Sequence, residues 1–194
     1  MKRHNVTPPT QILIALLTIL IAIPALAGGL ADGEVIVTEK EVDGYDLPRV
    51  TAKGVINAPM EKVWNILKDC NNYTKTMQRV KAAKEIKRFG SGKIRCQVTL
   101  ELPWPLDNLT AVTDSIHTEQ PGKMYKRAWS LVSGDYEYNT GSWTLTPYKG
   151  DANKTLAVYS IHVKPKTSVP DAIKARAQKS ALPDLFDHIR SQVE

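Results

Sequence analysis

Histidine is the residue type best suited to acid–base chemistry or metal binding, and this sequence contains four. They are His4, His117, His162 and His188. No two of them have the i, i+4 spacing that places paired imidazoles on one helix face for zinc. The sequence also lacks a Gly-x-Ser-x-Gly nucleophile elbow and a glycine-rich phosphate loop. We therefore expect no catalytic residue, no metal site and no cofactor.

The two cysteines, Cys70 and Cys96, could form a disulfide or remain separate. An oxidising compartment permits a bridge, but a bridge requires Cα atoms within about 7 Å of each other. Nothing in the sequence places the two residues so close, so we predict that they do not pair. In this interpretation Cys96 is a small buried hydrophobic residue.

The aromatic residues could either build a core or line a binding pocket. Trp64 has the spacing of a core residue on a helix. Trp104 lies between two prolines and could form a pocket rim or a packed turn. Trp129 and Trp143 could fill the core or line a cavity. Two tyrosines could offer a phenolic hydroxyl to the polar group of a ligand. They are Tyr125 and Tyr159.

A long amphipathic helix is predicted from Ser168 to Val193. Apolar residues recur there every four residues, which places them along one face of a helix. They are Val169, Ile173, Ala177, Ala181, Leu185 and Ile189. This face must pack against a sheet. Pro183 lies inside the pattern and predicts a kink or break just before it.

The residues before this helix alternate between apolar and polar, as in half-buried strands. The clearest strand has an apolar face that should point inward. That face consists of Ile94, Cys96, Val98 and Leu100. The other predicted strands are 34–42, 48–56, 110–118, 123–131, 138–146 and 155–164. A short helix is expected after Pro59, followed by a loop or a second short helix over residues 69–75.

These elements predict an α+β domain. Its curved antiparallel sheet of about seven strands would wrap around the long C-terminal helix, with one or two short helices after the second strand. Glycine, proline, asparagine and aspartate between the strands indicate short connections. Space between sheet and helix becomes an apolar pocket where side chains do not fill it. A movable lid, formed by residues 133–140 and the last helix, would admit a ligand.

The composition favours one globular domain, because 42% of the 194 residues are hydrophobic and 24% are charged. The net charge is +6, but the basic residues are scattered and not interleaved with aromatic ones. We therefore expect no nucleic acid as a partner. Transient contact with an anionic membrane surface is compatible with this charge, and we expect a monomer.

The first 27 residues have the three parts of a secretory signal peptide. A basic start precedes an apolar run over residues 11–23, and Ala25-Leu26-Ala27 supplies a cleavage site of small residues. We expect cleavage near Ala27, a mature domain of residues 28–194, and a location in the periplasm or outside the cell. The alternative is an uncleaved N-terminal anchor, although the apolar run is shorter than the roughly 20 residues of a membrane span.

Four segments in order resemble the START and Bet v 1-like proteins of the SRPBCC superfamily, which have a helix-grip fold. They are Val55–Trp64, the Leu-Pro-Trp-Pro of Glu101–Leu106, the Gly-Ser-Trp of Gly141–Leu145, and Ser168–Pro170 with the alanine-rich helix that follows. The resemblance extends over about residues 34–193. It implies a lipid- or sterol-sized ligand, held between sheet and C-terminal helix for carriage or sensing.

One position departs from the family pattern. Family members often have an Arg-Asp pair after Leu-Pro-Trp-Pro, and its arginine can form part of a charged pair in the cavity. This sequence has Leu109 and Thr110 there. The departure removes a polar anchor and favours a more apolar ligand.

The strand pattern and the resemblance together identify candidate cavity residues for a hydrophobic small molecule. They are Ile94, Cys96, Val98, Leu100, Trp104, Trp129, Trp143, Tyr159, Ile173 and Ala177. Two alternatives stay open. A cyclase- or aromatase-like enzyme would be favoured by acid and base side chains that converge deep in the cavity. A protein-interaction domain with a filled core would be favoured by a cavity too small for a ligand.

Overall fold

The structure is a computed structural model that describes residues 29–168 and 181–194. Within these ranges one single-turn 3-10 helix (Leu30–Asp32) precedes the sheet, and another (Cys70–Asn72) lies between the first two α-helices. The strands are β1 (Ile36–Lys40), β2 (Arg49–Ile56), β3 (Val80–Arg88), β4 (Lys93–Leu100), β5 (Leu109–Gln120), β6 (Met124–Gly134), β7 (Tyr136–Tyr148) and β8 (Asp151–Pro165). The helices are α1 (Met60–Lys68), α2 (Tyr73–Thr76) and α3 (Leu182–Val193). None of the helices in the described ranges is long and apolar enough to cross a membrane.

The described strands form one antiparallel sheet in the order β1-β2-β8-β7-β6-β5-β4-β3. The predicted α+β architecture is confirmed, with eight strands where the sequence pattern predicts about seven. The additional strand is β3, which lies at the edge of the sheet. Apolar and polar residues alternate only weakly along β3, because two register shifts interrupt its pairing with β4 and most of its residues are exposed.

Helix α1 forms where the sequence predicts it and packs its apolar face on the sheet. Met60, Val63, Trp64 and Leu67 are all buried, at the i, i+3, i+4, i+7 spacing of one helix face. Pro59 precedes the first helical residue, where a missing N–H removes no helical hydrogen bond. The connection after α1 then turns back over the end of the sheet through α2.

The described part of the C-terminal helix begins at Leu182, so Pro183 lies in its first turn. Residues 169–180 of the predicted helix lie outside the described residues. The buried residues of α3 are Phe186, Ile189 and Val193, whereas Leu185 of the predicted stripe is only half-buried. Residues four apart are offset by about 40° around a helix of 3.6 residues per turn, so Ile189 of the predicted stripe faces the core whereas Leu185 borders the cavity.

Two contacts hold α3 against β2. Gly54 faces Phe186 so closely that a Cβ atom at position 54 would lie 2.6 Å from Phe186 Cδ1. The Arg190 guanidinium donates two hydrogen bonds to the Val55 carbonyl, at 3.0 and 2.8 Å. The main core therefore lies between α1, α3 and the sheet.

A disulfide joins Cys70 and Cys96, whose Cα atoms are 6.5 Å apart. The prediction that these cysteines do not pair is wrong. Cys70 follows α1 and Cys96 lies on β4, and the packing of the turn onto the sheet brings them together. Tyr73 and Ile94 complete this second buried cluster.

Candidate ligand cavity

A cavity of about 340 Å³ lies between the sheet, α2 and the first turn of α3. Its volume falls within the roughly 300–1,000 Å³ of small-molecule sites. Much of its wall is apolar. Representative wall residues are Val98 and Leu100 of β4, Trp143 of β7, Ile161 of β8, and Leu182 and Leu185 of α3.

Five candidate residues from the sequence line this cavity. They are Val98, Leu100, Trp129, Trp143 and Tyr159. They come from β4, β6, β7 and β8, because alternate residues of each strand point to the same face of the sheet. Their contact with a ligand stays a prediction.

Three other candidates do not line it. Ile94 and Cys96 are on the expected face of β4 but are fully buried in the disulfide cluster. Trp104 is 93% exposed, in the connection between β4 and β5, where flanking prolines keep the chain out of the sheet. Ile173 and Ala177 lie outside the described residues.

Residues 133–140 do not form the loop that the predicted lid requires. β6 extends to Gly134 and β7 begins at Tyr136, so only one residue separates the strands. That residue, Asp135, accepts a hydrogen bond from the Thr110 backbone N–H at 2.7 Å. Lys166 donates its own N–H to the Asp135 carbonyl. The strands and these hydrogen bonds tie the segment to the sheet.

An aromatic wall forms one side of the cavity. The ring centroids of Trp143 and Tyr159 are 4.6 Å apart, and those of Trp129 and Tyr159 are 5.9 Å apart. Trp129 lies across β7 because Gly141 has no side chain; a Cβ atom there would collide with the indole. The Trp129 Nε1–H donates to Asn139 Oδ1 at 3.0 Å, which fixes the ring.

Arg127 of β6 brings a buried cation to the cavity wall. It is only 5% exposed. Its Nε and Nη2 donate to Ser115 Oγ at 3.2 and 3.0 Å, and its Nη1 donates to the Leu67 carbonyl at 3.2 Å. Ser115 is on the neighbouring strand β5, and Leu67 is in the last turn of α1.

The immediate partners of Arg127 carry no formal negative charge. Within residues 29–168 and 181–194, no carboxylate forms an ion pair with it. The Tyr73 ring lies 5.1 Å from its guanidinium carbon and the Trp129 ring 5.9 Å, both at cation–π distance. Burial lowers the pKa of Arg127 to about 10, so the side chain is still cationic at neutral pH.

Two tyrosines in the lining, the buried Tyr136 and the half-buried Tyr159, stay neutral. Burial raises the pKa of Tyr136 to about 12 and also raises the pKa of Tyr159. With Thr113 and Asn139, they add hydroxyl and amide groups to the wall. The other polar lining residues are Arg127, Gln78, Arg79, Glu101 and Asp184. The described polar groups in the interior can therefore hydrogen-bond a ligand.

The described histidines and Tyr125, the other tyrosine predicted to offer a hydroxyl to a ligand, do not line the cavity. His117 packs against Trp64, with ring centroids 5.1 Å apart, and burial lowers its pKa. His162 Nε2 is 3.0 Å from the Leu47 carbonyl oxygen. Tyr125 stacks on Trp64 and donates to Glu61, so it does not offer its hydroxyl to the cavity.

Arg127 is not among the residues predicted to line the cavity, although the strand pattern contains a signal for it. Tyr125, Arg127 and Trp129 alternate along β6 and therefore share one face of the strand. A charged residue between two inward aromatic residues indicates a buried cation. The cavity wall therefore contains a cation, Arg127, although Leu109 and Thr110 carry no charge.

A curved antiparallel sheet, closed by a C-terminal helix with a cavity between them, defines a helix-grip domain of the START-like class. The family described as "Polyketide cyclase / dehydrase and lipid transport" matches residues 56–190. The chain belongs to this family. No curated protein matches the sequence.

Solved structures share the fold at low sequence identity. A fragment of the STAR-related lipid transfer protein from Xanthomonas axonopodis is 20% identical with a TM-score of 0.65, covering 81% of this chain and 92% of that chain. Human StAR-related lipid transfer protein 5 is 12% identical with a TM-score of 0.69, covering 84% and 82%. The aromatase/cyclase ZhuI from Streptomyces sp. R1128 is 13% identical with a TM-score of 0.55, covering 82% and 94%.

Proposed function

We propose that this protein binds a hydrophobic small molecule, lipid- or sterol-like, and carries or senses it outside the cytoplasm as a monomer. The observation that carries the proposal is the 340 Å³ cavity with its apolar and aromatic wall. Burial of apolar ligand surface contributes roughly 25 cal/mol per Å² before the ordering costs of binding. The membership in a family that includes lipid transport supports the same function.

An aromatase- or cyclase-like activity is the second candidate, because the family and the fold also include such enzymes. Catalysis of this kind requires a base or acid that reaches the ligand. Among the described lining residues, the carboxylates are Glu101 and Asp184, and both are exposed. The arginine, tyrosines, threonine and asparagine of the interior suit ligand binding better than proton abstraction.

We also propose that the protein contacts a membrane surface transiently when it exchanges its ligand. Trp104 is 93% exposed and lies two residues after Leu102, which lines the cavity. Tryptophan favours the interface between water and lipid, where its ring is partly desolvated. An exposed indole beside a cavity for an apolar molecule supports this contact.

Export is part of the proposal. The signal-like residues 1–27 motivate it, and the Cys70–Cys96 disulfide supports it. Disulfides persist in the periplasm and outside the cell and are rare in the cytoplasm.

Filling the cavity tests the binding function directly. Val98→Trp should lower the affinity for a fluorescent sterol or fatty-acid probe by about tenfold or more, because the indole would occupy the ligand's space. Gln97→Trp is the matched control, since residue 97 lies on the opposite face of the same strand. It should bind the probes like the wild type.

The unfolding temperature separates a ligand cavity from a filled core. An overpacked core would be destabilised by about 1–3 kcal/mol, whereas an indole that enters empty space leaves the unfolding temperature of Val98→Trp close to that of Gln97→Trp. Failure of both probes to bind the wild type would refute the proposed function.

A further inference from the structure

We propose that the ligand is an amphiphile with an anionic head, a carboxylate or a phosphate, and that Arg127 binds this head. The inference rests on the proposed function and specifies the class of ligand. It replaces the expectation of a more apolar ligand, which considered only the positions of Leu109 and Thr110.

The positive charge of Arg127 is uncompensated among the described residues. Moving a guanidinium out of water costs several kcal/mol unless an opposite charge faces it. Within the described residues its hydrogen-bond acceptors are one hydroxyl and one backbone carbonyl. The Leu67 carbonyl belongs to the C-terminal turn of α1, where the helix dipole adds only a partial negative charge. An anionic ligand head would supply the missing charge.

Arg127 also has N–H donors that no described residue occupies. An arginine side chain has five N–H donors, and Arg127 makes three hydrogen bonds to the described residues. Two donors therefore remain for a ligand. A carboxylate or phosphate offers several oxygens to a guanidinium, and charge-assisted bonds of this kind are roughly twice as strong as neutral ones.

The Arg127 side chain is held in place before any ligand binds. The Ser115 hydroxyl accepts from Nε and Nη2, and the Tyr73 and Trp129 rings lie near the guanidinium carbon. A positioned side chain loses little conformational freedom when a ligand binds.

The surrounding wall is suited to the rest of an amphiphile. Trp129 lies beside Arg127, and Trp143, Val98 and Leu182 continue the apolar lining. A head on Arg127 would leave the hydrocarbon part against these side chains. A neutral sterol hydroxyl could accept hydrogen bonds from Arg127, but it would leave the positive charge uncompensated.

Calorimetric titration of the delipidated full-length mature protein tests the proposal with dodecanoate, dodecyl phosphate and dodecanol. The three ligands share one chain length and differ in the head. At neutral pH, at least one of the anionic ligands should bind roughly ten- to hundredfold more tightly than dodecanol, the range expected for hydrogen bonds to a charged group. The two anionic ligands distinguish a carboxylate-binding from a phosphate-binding site.

Variants at position 127 assign the preference to the arginine. Arg127→Met retains much of the side-chain length without the charge and should reduce the preference for the anionic head to about twofold or less. Arg127→Lys retains a positive charge and should keep part of the preference for the anionic head. Thermal unfolding shows whether each variant is folded. If neither variant folds, the comparison of the anionic ligands with dodecanol in the wild type still tests the proposal.

Equal affinity of the wild type for dodecanol and both anionic ligands would overturn the proposal, as would an unchanged preference in folded Arg127→Met. If the fluorescent sterol still binds in that case, the proposed binding function survives without the anionic head. If neither the dodecyl ligands nor the fluorescent probes bind, the proposed function fails as well.

Discussion

At the scale of single residues, Asp114 forms ion pairs with two basic residues on the outer side of β4 and β5. Its carboxylate accepts from Arg95 Nε at 2.7 Å and from Arg95 Nη2 at 3.0 Å, and Lys93 Nζ lies 3.1 Å away. Arg95 and Asp114 are direct cross-strand partners. The hydrogen bonds from Arg95 are the main reason that the pKa of Asp114 falls to about 2.

This pKa predicts an acid-dependent loss of stability. Because the folded-state pKa lies below the ordinary value of 3.8, the stabilisation is complete above about pH 4 and disappears as the pH falls through about 2. We expect a contribution of about 1–2 kcal/mol after solvent screening. Urea unfolding between pH 5 and pH 2 should show a flatter pH dependence for Asp114→Asn than for the wild type.

The matched control is Asp107→Asn. Asp107 is exposed and forms none of the ion pairs among the described residues. Its replacement should leave the wild-type acid dependence intact. Identical curves for the wild type and Asp114→Asn would show that the Asp114 pairs do not stabilise the fold.

At the scale of elements, Phe186 is the largest fully buried side chain that α3 packs against the sheet. Phe186 is fully buried, faces Gly54 on β2, and lies 5.5 Å from the Trp143 ring centroid. Leu185, one residue earlier, is half-buried and faces the cavity. Adjacent residues of α3 therefore have separate roles, one in the core and one in the cavity wall.

Phe186→Ala should lower the free energy of unfolding by about 3–5 kcal/mol, because it leaves a void in the core that neighbouring atoms cannot fill. Leu185→Ala should lower the free energy of unfolding by less than half as much, since the Leu185 side chain already borders the cavity. Chemical unfolding of both variants measures the difference. An equal loss for the two variants would contradict the assigned roles.

At the scale of the whole molecule, the disulfide and the proposed export make one prediction. Protein isolated from its native host should begin at Gly28 or a near neighbour, as N-terminal sequencing would show. A non-reducing peptide map should contain a Cys70–Cys96 linked peptide, in keeping with the bridge in the structure. An intact Met1 on a protein with two free thiols would count against export.

The sequence by itself determined the elements whose side chains follow one simple period. Alternation in Ile94, Cys96, Val98 and Leu100 identified β4, and the spacing of Met60 to Leu67 identified α1. These patterns indicate which face of an element is apolar, and the spacing of apolar residues along one element is a local property of the chain. The antiparallel α+β architecture followed from them.

The tertiary structure alone decided which buried residues meet each other. It paired Cys70 with Cys96, turned Phe186 of α3 onto Gly54, and left Trp104 in solvent. It also placed Arg127 beside Ser115 in the cavity without a described carboxylate partner. A period shows that a side chain points inward, but its neighbours come from distant parts of the chain. Whether it meets a disulfide partner, a core ring or an open cavity is therefore settled only when the sheet closes around the helices.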